Sequence, residues 1–149
     1  MGDVELQLPP DVRYIGLARL VVTTAARQAG MIAERVEDLR IAVSEATTNA
    51  VKAHRRNDEP SPVHLTFGVT GSGQFAVTIA DAGPGFDPAP PEASSTREWT
   101  SESGLGVTLI RNLADVVEFQ RDQGMVVRMR FEVDMPDDEG QQRAGFGGS

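Results

Sequence analysis

Cysteine is absent from the 149 residues. That excludes disulfides, thiolate metal sites and a cysteine nucleophile, and it suits a reducing cytoplasm, the expected location. Basic residues are scarce, with 14 Lys and Arg against 22 Asp and Glu, a formal net charge of −8. Nucleic acid needs a basic footprint for its phosphates, so no direct nucleic-acid partner is expected, whereas a basic protein surface would suit the charge. No apolar run approaches the roughly 18 residues of a membrane span, so no membrane partner is expected. The start, MGDVELQLPPD, is acidic and lacks the basic-then-apolar order of a signal peptide, and Leu6 stands where a myristoylation motif has Ser or Thr. Missing too are a G-x-x-x-x-G-K-[ST] loop, a Gly-x-Gly-x-x-Gly after the first strand, and the H-R-D and D-F-G signatures of eukaryotic-type kinases. Aromatics are only 5%, yet 40% apolar and 24% charged residues are the proportions of an ordinary soluble globule. The length suits one domain with a core of its own.

Hydrophobic patterning supplies the elements. Residues 4–9 alternate as a short strand does, until Pro9-Pro10-Asp11 breaks the run. From Asp11 to Gln28 a helix is expected, with Leu17, Leu20, Val21, Thr24 and Ala25 as its apolar stripe and Gly30 as its stop. A clearer helix spans Ala33 to Arg56, with Leu39, Ala42, Val43, Ala46, Ala50 and Ala53 along one side. His54, Arg55 and Arg56 put positive charge where the helix dipole favours it, and His54 reads as a dipole-complementing or solvated residue with no catalytic role. Two alternating runs, 63–70 and 74–81, joined by Gly71-Ser72-Gly73, read as a hairpin. A stretch rich in Pro, Ser, Thr and Glu (87–103) precedes a third helix over 105–115. Residues 116–121 and 125–133 close the chain as a hairpin turned at Asp122-Gln123-Gly124. The tail, 134–149, has too little apolar content to fold and is expected to be disordered. The order β-α-α-β-β-α-β-β, without internal repeat, predicts an α+β domain over 4–133. It should be a two-layer α/β sandwich, with three helices on one face of a mixed, mostly antiparallel sheet.

Three polar stretches ask for more than a plain fold. In SEATTNA (44–50), Glu45 and Asn49 are one helical turn apart and so stack on one side, at the border of the apolar stripe. In DAGPGFDP (81–88), Asp81 ends a strand, where a carboxylate can accept from an amino group, and Gly83 and Gly85 let a flat ligand approach the main chain. In SGLGVTLIRNLAD (103–115), Gly104 and Gly106 open an amphipathic helix whose first N–H groups suit a phosphate. Taken singly, each has a plain structural meaning: a solvated helix face, a tight turn, a hinge into a helix. Their order along one chain suits a nucleotide, with the base at Asp81, phosphates at Gly104, Leu105 and Gly106, and Mg²⁺ near Asn49. One Asn oxygen is enough for magnesium, which completes its shell with phosphate and water.

At these residues the chain resembles the GHKL ATPase superfamily with its Bergerat nucleotide fold. Within it, the resemblance is to the bacterial anti-sigma-factor serine/threonine kinases of partner-switching pathways. DLRIAVSEATTNAVKAH is similar to that family's N box, DAGPGFDP to its G1 box and SGLGVTLIRNLAD to its G2 box. The resemblance implies an ATP- and Mg²⁺-dependent kinase. Asn49 would then hold the Mg²⁺, and Glu45 would take the proton from the substrate hydroxyl. Asp81 would read adenine, Gly83 and Gly85 would shape its pocket, Gly104 and Gly106 would contact phosphate, and 87–103 would be the ATP lid. It also implies a sigma factor and a STAS-type anti-anti-sigma factor as partners, and a homodimer as a further possibility. The family often carries Thr after the last hairpin turn, one of which supports the adenine site; here Met125 and Val126 occupy that region. Two other activities are open from sequence: an interaction module without phosphotransfer, and a histidine-kinase-type ATPase acting in trans.

Overall fold

Alternation of apolar and polar residues builds the sheet, and the row of inward residues can be followed strand by strand. The computed structural model describes residues 3–82, 102–121 and 123–133. The five strands are β1 (Val4–Leu8), β2 (Val63–Val69), β3 (Gln74–Ala80), β4 (Val116–Arg121) and β5 (Met125–Glu132). They lie in the order β1-β2-β3-β5-β4, and every neighbouring pair is antiparallel. Register places Leu6, Leu65, Ile79, Val127 and Phe119 side by side across the sheet, with Phe67, Val77, Met129 and Val117 one row further on. These rows line the buried face. The opposite face carries polar positions such as Glu5, Thr66, Thr78, Arg128 and Glu118 in register. One wet face and one dry face is the usual solution for an antiparallel sheet with helices on one side.

The helices are α1 (Ile15–Gln28), α2 (Ala33–Arg56) and α3 (Glu102–Leu113), with a 3₁₀ turn (Val12–Tyr14) leading into α1. Asp11 starts that turn, its carboxylate accepting from the Arg13 N–H at 2.9 Å, as a cap should. Gly30 has φ +101°, the left-handed conformation that ends helices and favours glycine. α2 lies in the middle of the helical layer: α1 and α3 both pack on it, and it packs on β3 and β5. Each residue expected in its stripe is buried, joined by Val36, Thr47, Val51 and His54. The two-layer α+β sandwich read from the element order is the observed one. No helix among the described residues is long and apolar enough to cross a membrane.

Two expectations are corrected. The stripe of α1 is shifted: Ala18, Val22, Thr23 and Ala26 are buried, while Leu17 (43% exposed), Leu20 (60%) and Thr24 face out. Both stripes satisfy helical periodicity, and close packing of α1 on α2 selects the side with small alanines over the side with leucines. Burying Thr23 is cheap because its hydroxyl donates to the Arg19 carbonyl at 2.8 Å. The third helix runs Glu102–Leu113 rather than 105–115, so Gly104, expected just before it, lies within it together with Gly106. Gly83, Gly85, residues 87–101 of the expected lid and the 134–149 tail lie outside the described residues.

Candidate functional site

Gly106 joins two of the three polar stretches. A Cβ added to it would stand 3.1 Å from Asn49 Nδ2, 3.1 Å from Glu45 Oε1 and 3.6 Å from Asn49 Oδ1. The heads of both side chains therefore lie directly beneath bare α3 backbone, in space that any other residue would fill. Glu45 and Asn49 are half-buried on α2, at the edge of its stripe. Ala42, Ala46 and Ala50 on the same helix are buried and small, which keeps α2 close to the layers around it. Such a cradle fits a bound phosphate–metal group: a carboxamide and a carboxylate converge under a backbone that leaves room. Among the described residues there is no group of three or more His, Asp or Glu that could hold a metal without help. Asn49 would thus give Mg²⁺ one oxygen, with phosphate and water completing its shell. Of the phosphate-seat residues, Gly104 and Leu105 belong to the first turn of α3, whose leading N–H groups lack intrahelical acceptors.

Asp81 follows the last residue of β3 and is held by the start of β5. Its N–H donates to the Met125 carbonyl at 2.9 Å, and its Oδ1 accepts from the Met125 N–H at 3.3 Å. Met125, 1% exposed, thus steadies the carboxylate through its main chain. Gly124 explains why the turn can come so near. A Cβ on it would overlap the Asp81 carbonyl oxygen and crowd Ala82 Cα at 2.9 Å. Only glycine permits this contact.

His54 corrects the sequence reading. Far from being solvated, it is 0% exposed and bonded at both ring nitrogens. Nδ1 lies 3.0 Å from the Ser61 carbonyl, and Nε2 accepts from the Ala82 N–H at 2.8 Å. A carbonyl can only accept and an amide N–H can only donate, so the ring carries its proton on Nδ1 and is neutral. The positive charge at the C-terminal end of α2 is therefore left to Arg55 and Arg56, both exposed. No sequence signal announced this role, because Ser61 and Ala82 offer only main-chain atoms.

The sequence pattern of the histidine kinase-like ATPase domain matches residues 8–131. The chain is 36% identical over 133 residues to the serine-protein kinase RsbW of Bacillus subtilis (strain 168), covering 85% of this chain and 82% of that one. It is 33% identical over 148 residues to the RsbW of Oceanobacillus iheyensis, covering 91% and 93%. In three dimensions it resembles the RsbU and RsbW domains of Rv1364c from Mycobacterium tuberculosis, with a TM-score of 0.67 at 13% identity. That likeness spans 89% of this chain and 33% of the other, so this chain matches one third of that protein. The histidine kinase domain of a blue-light activated kinase from Erythrobacter litoralis gives a TM-score of 0.53 at 23% identity, over 84% of this chain and 61% of that one. Those two likenesses speak to the fold.

Proposed function

This chain belongs to the histidine kinase-like ATPase family, and on that premise we propose that it is an ATP- and Mg²⁺-dependent protein serine/threonine kinase acting as an anti-sigma factor. In one state it binds a sigma factor; in the other it phosphorylates a Ser or Thr of a STAS-type anti-anti-sigma protein. The observation that carries this reading is the cradle under Gly106, where Glu45 and Asn49 meet beneath the start of α3. A carboxylate and a carboxamide facing bare backbone have little use in a plain fold.

When bound, MgATP supplies the phosphoryl group and the metal charge that offsets the phosphates. Asn49 would hold the metal through its amide oxygen. Glu45, one turn earlier on the same helix, accepts the proton of the substrate hydroxyl at Oε1 or Oε2 as attack proceeds. Asp81 orients the purine by accepting from its amino group, and the Met125 main chain and Gly124 keep that carboxylate in place. A homodimer belongs to the same reading, and exposed Val12, Leu17 and Leu20 offer apolar surface for it.

The test is transfer of label from radiolabelled ATP to candidate STAS-type proteins. Glu45→Ala should retain MgATP binding and lose phosphotransfer by about 10²–10⁴-fold, the usual worth of a positioned general base. Asn49→Ala should lose the Mg²⁺-dependent part of ATP affinity. Biological output unchanged in Glu45→Ala would instead assign the chain to an interaction module without phosphotransfer.

A further inference from the structure

The main chain at the exit of β3 is gripped from two sides. The β4–β5 turn holds it from one, by the Asp81 N–H to Met125 carbonyl bond and the close approach of Gly124. From the other side comes a single side chain, the fully buried His54, whose Nε2 takes the Ala82 N–H at 2.8 Å. We propose that His54 is a positioning residue for the nucleotide site: its Nε2 lone pair fixes the strand exit that carries Asp81. The inference rests on the reading of Asp81 as the residue that receives the base.

Geometry gives His54 this reach. It lies on α2, five residues beyond Asn49, a rise of about 7.5 Å along one helix. The helix that presents Glu45 and Asn49 thereby also sets the position of Ala82, and the two ends of the site share one rigid reference. The ring is itself immobilised, because Nδ1–H donates to the Ser61 carbonyl at 3.0 Å. The Ser61 loop is tied back in turn: Glu59 N–H donates to the His54 carbonyl at 2.8 Å, and the Glu59 carboxylate accepts from the Ser61 hydroxyl at 2.7 Å.

Two measurements test the proposal. In the nucleotide-free full chain, hydrogen exchange of the Ala82 amide should accelerate in His54→Asn, which keeps the Nδ1-like donor and loses the Nε2 acceptor. An Ala82 amide indifferent to that substitution overturns the clamp, whether or not nucleotide binds. MgATP affinity should fall about three- to tenfold in His54→Asn, the worth of one hydrogen bond. His54→Gln, which can place an acceptor near the Nε2 position, should recover part of that loss. Equal affinities in all three proteins would reduce His54 to a structural residue. A wild type that binds no MgATP would instead defeat the proposed function, while the Ala82 amide still decides the clamp.

Discussion

Gly106 and Thr47 show how single positions can set function and stability apart. Replacing glycine by alanine inside a helix usually gains about 0.8–1 kcal/mol. At Gly106 the added methyl meets only the ends of two flexible side chains at 3.1 Å, which can give way by a few tenths of an ångström. We expect Gly106→Ala to keep or raise the thermal midpoint while MgATP affinity falls, since the cradle is what the methyl fills. Calorimetry beside a melting curve checks this, and unimpaired binding would show that the cradle holds nothing. Thr47 is the converse case. It is 0% exposed on α2, and its hydroxyl has no hydrogen-bond partner among the described residues. A buried hydroxyl without a partner is unfavourable, and valine has nearly the same shape. Thr47→Val should raise the unfolding free energy by about 1 kcal/mol in urea titration. A loss of that size would mean that the hydroxyl is satisfied after all.

Among elements, the end of α3 is fastened by one arginine. Arg35, in the first turns of α2, donates to the Leu113 carbonyl at 3.1 Å, to Asp38 at 2.6 Å and to Asp115 at 2.8 Å. Asp115 also accepts from the Glu132 N–H at 2.7 Å, which links the start of β4 to the end of β5. The guanidinium lies 5.2 Å from the centre of the Phe131 ring. An exposed ion pair contributes little, but this one is three-quarters shielded, with a side-chain exposure of 24%, and it satisfies an otherwise orphaned helix-terminal carbonyl. Arg35→Ala should therefore destabilise by about 1–3 kcal/mol, the range for hydrogen bonds to charged groups. Because α3 carries Gly106 over the site, nucleotide affinity should fall with it. Hydrogen exchange of the α3 amides would show the loosening directly. If only the global unfolding free energy changes, the two effects are separate.

For the whole molecule, acid and salt report on the surface carboxylates. Hydrogen bonds from Arg13 hold Asp11 below its ordinary 3.8, and a hydrogen bond from Arg40 holds Glu37 below 4.5; the Ser61 hydroxyl does the same for Glu59. A folded-state pKa below the unfolded one means that the native state binds fewer protons. Its stabilisation is present above the unfolded value and is lost as pH falls through the folded one. The thermal midpoint should thus decline below about pH 4.5. In about 1 M salt the part due to Asp11 and Glu37 should shrink, because screening acts within a few ångströms, while the part due to the uncharged Ser61 partner persists. A decline equal at both salt concentrations would contradict this division. The same scale separates what could be read from the chain and what could not. Periodicity, caps and turn residues already determined α2 to the residue, the hairpins and the two-layer class, because these are short-range properties. Glu45, Asn49 and Asp81 stood out only through their order along the chain with the glycine stretches, since each taken singly suits a plain helix face or turn. Which side of α1 is buried was decided by packing on α2, since two stripes had equal periodicity. The cradle under Gly106, the Met125 main chain behind Asp81 and the grip of His54 on Ala82 are contacts to backbone across 28 to 61 residues of chain. Backbone atoms are the same at every position, so only the folded arrangement could show which of them face these side chains.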